Sequence, residues 1–350
     1  MPHVLISRHI LGATDDRLDE EYHDEEDYLE EKRENPKVEI DEGNWKDFIG
    51  RKDVYGNYLE YFQKRLAPLT PSEIPALLTS HLYPHLLPNL VSGAVHPLIH
   101  IGFGIEYLHK ELIAEGLAEA CMHDPSVAPV LALDNSKAVK GKTLESIFEE
   151  VRLDKRFDDI VRFKDGNKTD SVLKRGELVK EFAEKIWIDA STNKSTHITD
   201  DPQSLLKTFH SIFTHASHLL LQTALNPPHP PKPDFFLMHL LTSSISLRQL
   251  IPYLTPPQIQ TLLHAHISVS LMHYVARGRP SLRPDLLSQY IPSKESKEGW
   301  SAVIALAVKN KDLHVPKVVR ALKVLCDEGS EGGWVGEEEG KLILRGAQLV

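Results

Sequence analysis

Apolar positions along this chain recur mostly at helical spacing. Over residues 105–122, Ile105, Leu108, Leu112, Ile113, Leu117 and Ala120 fall near one helical face, and the spacing predicts a helix. Asp201 followed by Pro202 reads as a cap and first turn, opening a helix over 202–225. Its apolar stripe is Leu205, Leu206, Phe209, Ile212, Phe213 and Ala216. Thr255 and Pro256 open a second such helix over 255–277. Asp312 then caps a helix over 312–326 that buries Val315, Val318, Val319, Leu322 and Leu325. Strand-like alternation is scarce. The 23 prolines punctuate the elements, and NPPHPPKPDF at 226–235 reads as an extended, stiffened connection. Helical patterns continue on both sides of it. The expectation is an all-α protein, one large multi-helix domain over residues 1–350 with proline-rich connections. A strongly acidic stretch at 14–42 is expected to be a solvated helix or flexible loop.

Composition narrows the function. With 41% hydrophobic residues the chain can bury a sizeable core, and a net charge of −10 without a basic block argues against a nucleic-acid partner. Cys121 and Cys326 are too few for a disulfide framework and read as reduced thiols. No secretory leader and no apolar run of membrane-spanning length is apparent, so a cytoplasmic location is expected. The 19 histidines stand out, because imidazole is the commonest metal ligand and a frequent acid–base group.

Four segments could carry chemistry. In SGAVHPLIHIGFGIEY (92–107), His96 and His100 lie four apart, which puts both imidazoles on one helix face as two metal ligands require. Pro97 fits the first turn of that helix. The Gly102-Phe103-Gly104 run lacks the third glycine of a dinucleotide loop. In LLKTFHSIFTHASHLL (205–220), His210 and His218 share a face with Thr214, and His210 sits beside the apolar stripe. A buried imidazole there must be hydrogen-bonded or metal-bound. In DFFLMHLLTSS (234–244), His239 interrupts an apolar run and needs a partner, either Thr242 or a metal. In KDLHVPKVVRAL (311–322), His314 and Lys317 share a face. A buried Lys317 would lose basicity and, when neutral, can add carbon dioxide to become a carbamate; a lysine snorkelling at the helix edge is the simpler reading of the pattern. Hydrolase and nucleotide motifs are missing: there is no GxSxG, no HExxH, no CxxC and no complete P-loop, since Ser136 stands where the first glycine before GKTL (141–144) is required.

These segments, together with LGA at 11–13, WKDFIGRKDVYGNYLEYF at 45–62 and MHYVARGRP at 272–280, occur in an order that resembles the questin oxidase-like family, across nearly the whole chain. That resemblance implies a helical oxidoreductase of secondary metabolism, with fungal members. Its reaction is oxygen-dependent cleavage or Baeyer–Villiger-type oxidation of an aromatic polyketide such as an anthraquinone. It implies Fe(II) as cofactor, with a carboxylated Lys317, and NADPH as co-substrate. Carried over residue by residue, the metal ligands are His3, His96, His239, His314 and Lys317. His3 matches the last histidine of an NHxxH element that begins before Met1, so the start is expected to be truncated. His100 and His210 are the catalytic candidates, His210 also as reserve ligand. The partners implied are a small aromatic substrate and dioxygen. Three other readings stand beside this one: a metal-free NADPH-dependent oxidase of the same pathways, a catalytically degenerate helical binding protein, and a zinc hydrolase.

Overall fold

The computed structural model describes residues 2–26, 36–123, 126–162, 164–188 and 203–350. Helices α1 (Pro2–Ile10), α2 (Asp15–Glu26), α3 (Tyr55–Leu66), α4 (Ile74–His81), α5 (Leu87–Leu90) and α6 (His96–Glu106) come first. They are followed by α7 (Lys110–Met122), α8 (Leu144–Leu153), α9 (Lys168–Leu173), α10 (Gly176–Ala183) and α11 (Gln203–Thr223). The order ends with α12 (Phe235–Leu250), α13 (Pro256–Ala276), α14 (Pro284–Gln289), α15 (Trp300–Lys309), α16 (His314–Glu331) and α17 (Glu337–Ala347). Among the described residues the one extended pairing is an isolated bridge between Val139 and Ile186, so the fold is all-α. None of the described helices is long and apolar enough to cross a membrane.

The helices group into two compact units. One collects α1, α2, the C-terminal half of α11, the first half of α12 and α14 to α17. The other holds α3 to α10, the start of α11, the rest of α12 and α13.

In the first unit, α1, α15 and α17 all pack on α16. The buried face of α16 includes Val318, Val319, Leu322 and Leu325, as its pattern predicts, with Val315 half-buried; the helix runs on to Glu331. Arg8 of α1 is fully buried and ties this arrangement together. Its guanidinium donates to the carbonyls of Ala307, Val308 and Asn310 at the C-terminal end of α15 and pairs with the Glu21 carboxylate at 2.9 Å. Helix C-terminal carbonyls have no intrahelical donor, and a cation there also meets the negative end of the macrodipole.

In the second unit, α13 is buried on every side from Leu262 to Ala276, with α5, α9 and α10 against it. Thr255 and Gln258 form a capping box at its start, as the Thr-Pro signature predicts. Helices α6 and α7 pack closely because glycines stand at the contact: a Cβ on Gly104 would lie 2.7 Å from the Ile113 nitrogen, and one on Gly116 2.9 Å from the Ile101 nitrogen. The Gly-Phe-Gly run therefore sits inside a helix and serves packing.

Residues 105–122 do not form one helix. The chain turns at Tyr107–His109, where Leu108 adopts a left-handed φ of 53° and is 61% exposed. The His109 N–H donates to the Gly104 carbonyl and the Leu108 N–H to Ile105, the two-bond closure that ends many helices. Leucine in place of the usual glycine hid the stop. The acidic stretch is helical over Asp15–Glu26; its residues 27–35, and the cap predicted at Asp201–Pro202, lie outside the described residues.

Candidate functional site

The N-terminus of α12 is fixed by its own sequence. After the proline-rich connection, the Asp234 side chain accepts from the backbone N–H groups of Phe236 and Leu237 at 2.9 and 3.2 Å. One turn later His239 is buried, 2% exposed, with Nδ1 2.7 Å from the Phe235 carbonyl. A carbonyl only accepts, so Nδ1 carries the proton and the lone pair resides on Nε2. Thr242 meanwhile donates its hydroxyl to the His239 carbonyl and does not bond the ring.

The start of α16 has a parallel design. One Asp312 carboxylate oxygen accepts both from the His314 backbone N–H at 2.9 Å and from His314 Nδ1 at 2.8 Å. The predicted cap thus also orients the imidazole through Nδ1, the carboxylate–histidine pattern of many metal ligands. Burial raises the Asp312 pKa, but the His314 hydrogen bonds and the nearby Lys317 outweigh it and hold the group below the ordinary carboxylate value. Lys317, one turn along the same face, is pushed down to about 8 by burial, against the opposing pull of Asp312. Burial thus disfavours its ammonium form relative to a lysine that reaches bulk water.

These elements meet. The His239 and His314 ring centroids are 5.9 Å apart, and the Phe235 ring lies 4.5 Å from His239 and 5.1 Å from His314. His3 is buried on α1, the helix packed on α16. His3, His239, His314 and Lys317 therefore share one unit, drawn from three separated stretches of chain. The three imidazoles do not bring three ligand atoms within 4.8 Å of one another, and the contact the structure shows is that of His239 with His314.

The other predicted residues belong to the second unit. Gly93, Ala94 and Val95 are all left-handed, a strained entry that sets His96 at the start of α6 with Pro97 in the first turn. His96 Nδ1 lies 2.9 Å from the Gly93 carbonyl. His100 shares the helix and stands between two carboxylates of α7, with Nδ1 3.0 Å from Glu119 and Nε2 3.7 Å from Glu115. His210 is half-buried, and burial followed by the charge of Arg248 lowers its pKa.

Pattern reading passed over the histidines of α13. His264, His266 and His273 are buried, and each is pushed down to about 4, chiefly by burial. His264 Nε2 meets the Asn135 side-chain oxygen at 3.0 Å and His266 Nε2 the Ser243 hydroxyl at 2.9 Å. The available signal was two imidazoles, two apart, inside an otherwise apolar run.

A family model described as Questin oxidase-like matches residues 1–322. Among curated proteins, the chain is 27% identical to the questin oxidase of Aspergillus terreus, over 79% of this chain and 62% of that protein. It is 30% identical to the oxidoreductase AflY of Aspergillus parasiticus, over 96% of this chain and 70% of that protein. It is 29% identical to the Baeyer–Villiger oxidase ptaJ of Pestalotiopsis fici, over 65% of this chain and 51% of that protein. The match thus spans less than two thirds of the first and third of these relatives. With the model match covering most of its length, the chain belongs to the questin oxidase-like family.

Proposed function

We propose that this chain is an oxidoreductase that uses dioxygen for Baeyer–Villiger-type oxidation or oxidative cleavage of a planar aromatic polyketide. Its candidate metal centre would be Fe(II) held by His239, His314 and a carboxylated Lys317, with His3 as a further ligand if its ring closes on the pair. The observation that carries the reading is the meeting of two imidazoles 5.9 Å apart, each with Nδ1 tied to an acceptor, one helical turn from a lysine of depressed basicity. The names of the relatives, which include a questin oxidase and a Baeyer–Villiger oxidase, support the reaction class.

The donor set suits ferrous iron: neutral imidazoles offering Nε2 and one anionic oxygen ligand. Bound iron would supply dioxygen activation beside the substrate. The chain's own residues do the rest. The Phe235 carbonyl and the Asp312 carboxylate hold the two imidazole tautomers and ring orientations. Neutral Lys317 forms an N–C bond to carbon dioxide and releases one proton, giving a carbamate whose oxygen can ligate. NADPH is the co-substrate this reading needs if a single oxygen atom enters the product, because the second must leave as water.

Elemental analysis of the purified protein tests the centre. Near-stoichiometric iron in wild type that is lost in Lys317→Ala and His239→Ala, with quinone-dependent oxygen uptake, is the expected result. The same assay on His96→Ala decides whether that residue belongs to the ligand set. Oxygen uptake in iron-free protein would overturn the metal centre in favour of a metal-free oxidase, and bound zinc without oxygen uptake would favour a hydrolase.

A further inference from the structure

Phe235 is 46% exposed, although it heads an otherwise buried stretch of helix. Burial does not account for such a ring, since an aromatic side chain in water forfeits much of its packing value. Its neighbours are the two imidazoles of the candidate centre, with His239 tilted at 55° and His314 edge-on at 76°. A third contact, edge-on at 5.3 Å, comes from Phe236.

The backbone at this point is held from both sides. The chain arrives through five prolines, Pro227, Pro228, Pro230, Pro231 and Pro233, and the Asp234 carboxylate anchors the amides of Phe236 and Leu237. Proline restricts the incoming φ angles, and the cap fixes the first turn. Phe235 is thus presented at a defined position, with one part of its ring on the imidazoles and the remainder facing outward. A preorganised aromatic surface loses little freedom when a ligand lands on it.

We infer that Phe235 is the stacking platform that positions a planar aromatic substrate next to His239 and His314. This rests on the proposed function above and adds to it a residue that selects flat, polycyclic substrates over small or aliphatic ones. Phe235 is a positioning residue in this role. It exchanges no proton and holds no metal, and its contribution appears in binding.

The test measures binding of 9,10-anthraquinone-2-sulfonate to the full chain by calorimetry, alongside iron content and steady-state oxygen uptake, for wild type and Phe235→Ala, Phe235→Leu and Phe235→Tyr. The expected result is about tenfold weaker binding for the alanine variant, the size of one aromatic stacking contact. The leucine variant should be intermediate and the tyrosine variant close to wild type. KM should rise in the same order, while iron content holds. Wild-type binding that is unchanged in the alanine variant overturns the inference and leaves the proposed function standing. An absence of probe binding by wild type also overturns it, and the iron content and oxygen uptake of the same sample then report separately on the proposed function. If the alanine variant fails to fold, the leucine and tyrosine pair decides: equal affinity for both refutes the platform.

Discussion

Three buried histidines on α13 make acid stability a quantitative test of the second unit's packing. His264, His266 and His273 are 0%, 0% and 3% exposed, and each is pushed down from an ordinary 6.5 to about 4. Burial is the main cause; the neighbouring His273 adds to it at His266, and Arg277 adds to it at His273, whereas Asp134 partly opposes it at His264. The unfolded chain therefore binds protons below about pH 6.5 that the folded chain refuses until about pH 4. Stability is fully present above 6.5 and falls with pH across that window. Each histidine costs about 2 kcal/mol by pH 5, and the three together about 6 kcal/mol, a large share of a typical 5–15 kcal/mol stability. Urea unfolding followed by circular dichroism at intervals from pH 7.5 to 5 should show this decline. Replacing His273 with leucine should remove about 2 kcal/mol of the loss by pH 5, whatever constant change the substitution itself introduces. Stability that stays flat between pH 6.5 and 5, or a slope untouched by His273→Leu, would refute the assignment of these rings as buried neutral groups.

Three further outcomes follow from packing and hydrogen bonding. Gly102→Ala would place a Cβ 2.2 Å from the Ser246 side chain and 2.6 Å from its Cα; because backbone cannot yield as a side chain does, thermal melts should show a loss of about 1–3 kcal/mol or more. Arg8→Met should cost about 3 kcal/mol in urea unfolding by removing the donor to three carbonyls and a partner of buried Glu21, and the double variant with Glu21→Gln should fall short of the two single effects added. Asp312→Ala should weaken iron affinity about 10–100-fold in a competition titration against a chelator, since His314 loses the carboxylate that orients it; unchanged affinity would remove His314 from the ligand set.

What the sequence disclosed follows the range of the forces involved. Helix starts built from neighbours, such as Thr255–Pro256 and the Asp312 cap, are local, and the structure forms helices there. The stop at Leu108 escaped notice because the apolar spacing runs on through it and no glycine marks the turn. The candidate site divides in the same way. His314 with Lys317, and His96 with His100, share helix faces, which sequence spacing alone reveals. The approach of His239 to His314 joins residues 75 positions apart, and no periodicity encodes that contact; it entered through family resemblance. Asp312 was legible as a cap, but its second bond to the imidazole depends on a side-chain rotamer.

The unit that carries His3, His239, His314 and Lys317 is stitched from distant parts of the chain, with Arg8 bonded to carbonyls about 300 residues away. On a ribosome this gives the two units unequal histories. Most of the second unit's helices emerge early and in sequence, so they can begin folding while synthesis continues. Helix α1 has no α16 to dock on until residues 314–331 have been made, and long-range closures of this kind form slowly. A ribosome stalled before residue 314 would therefore hold a partly structured chain in which His239 has yet to meet His314.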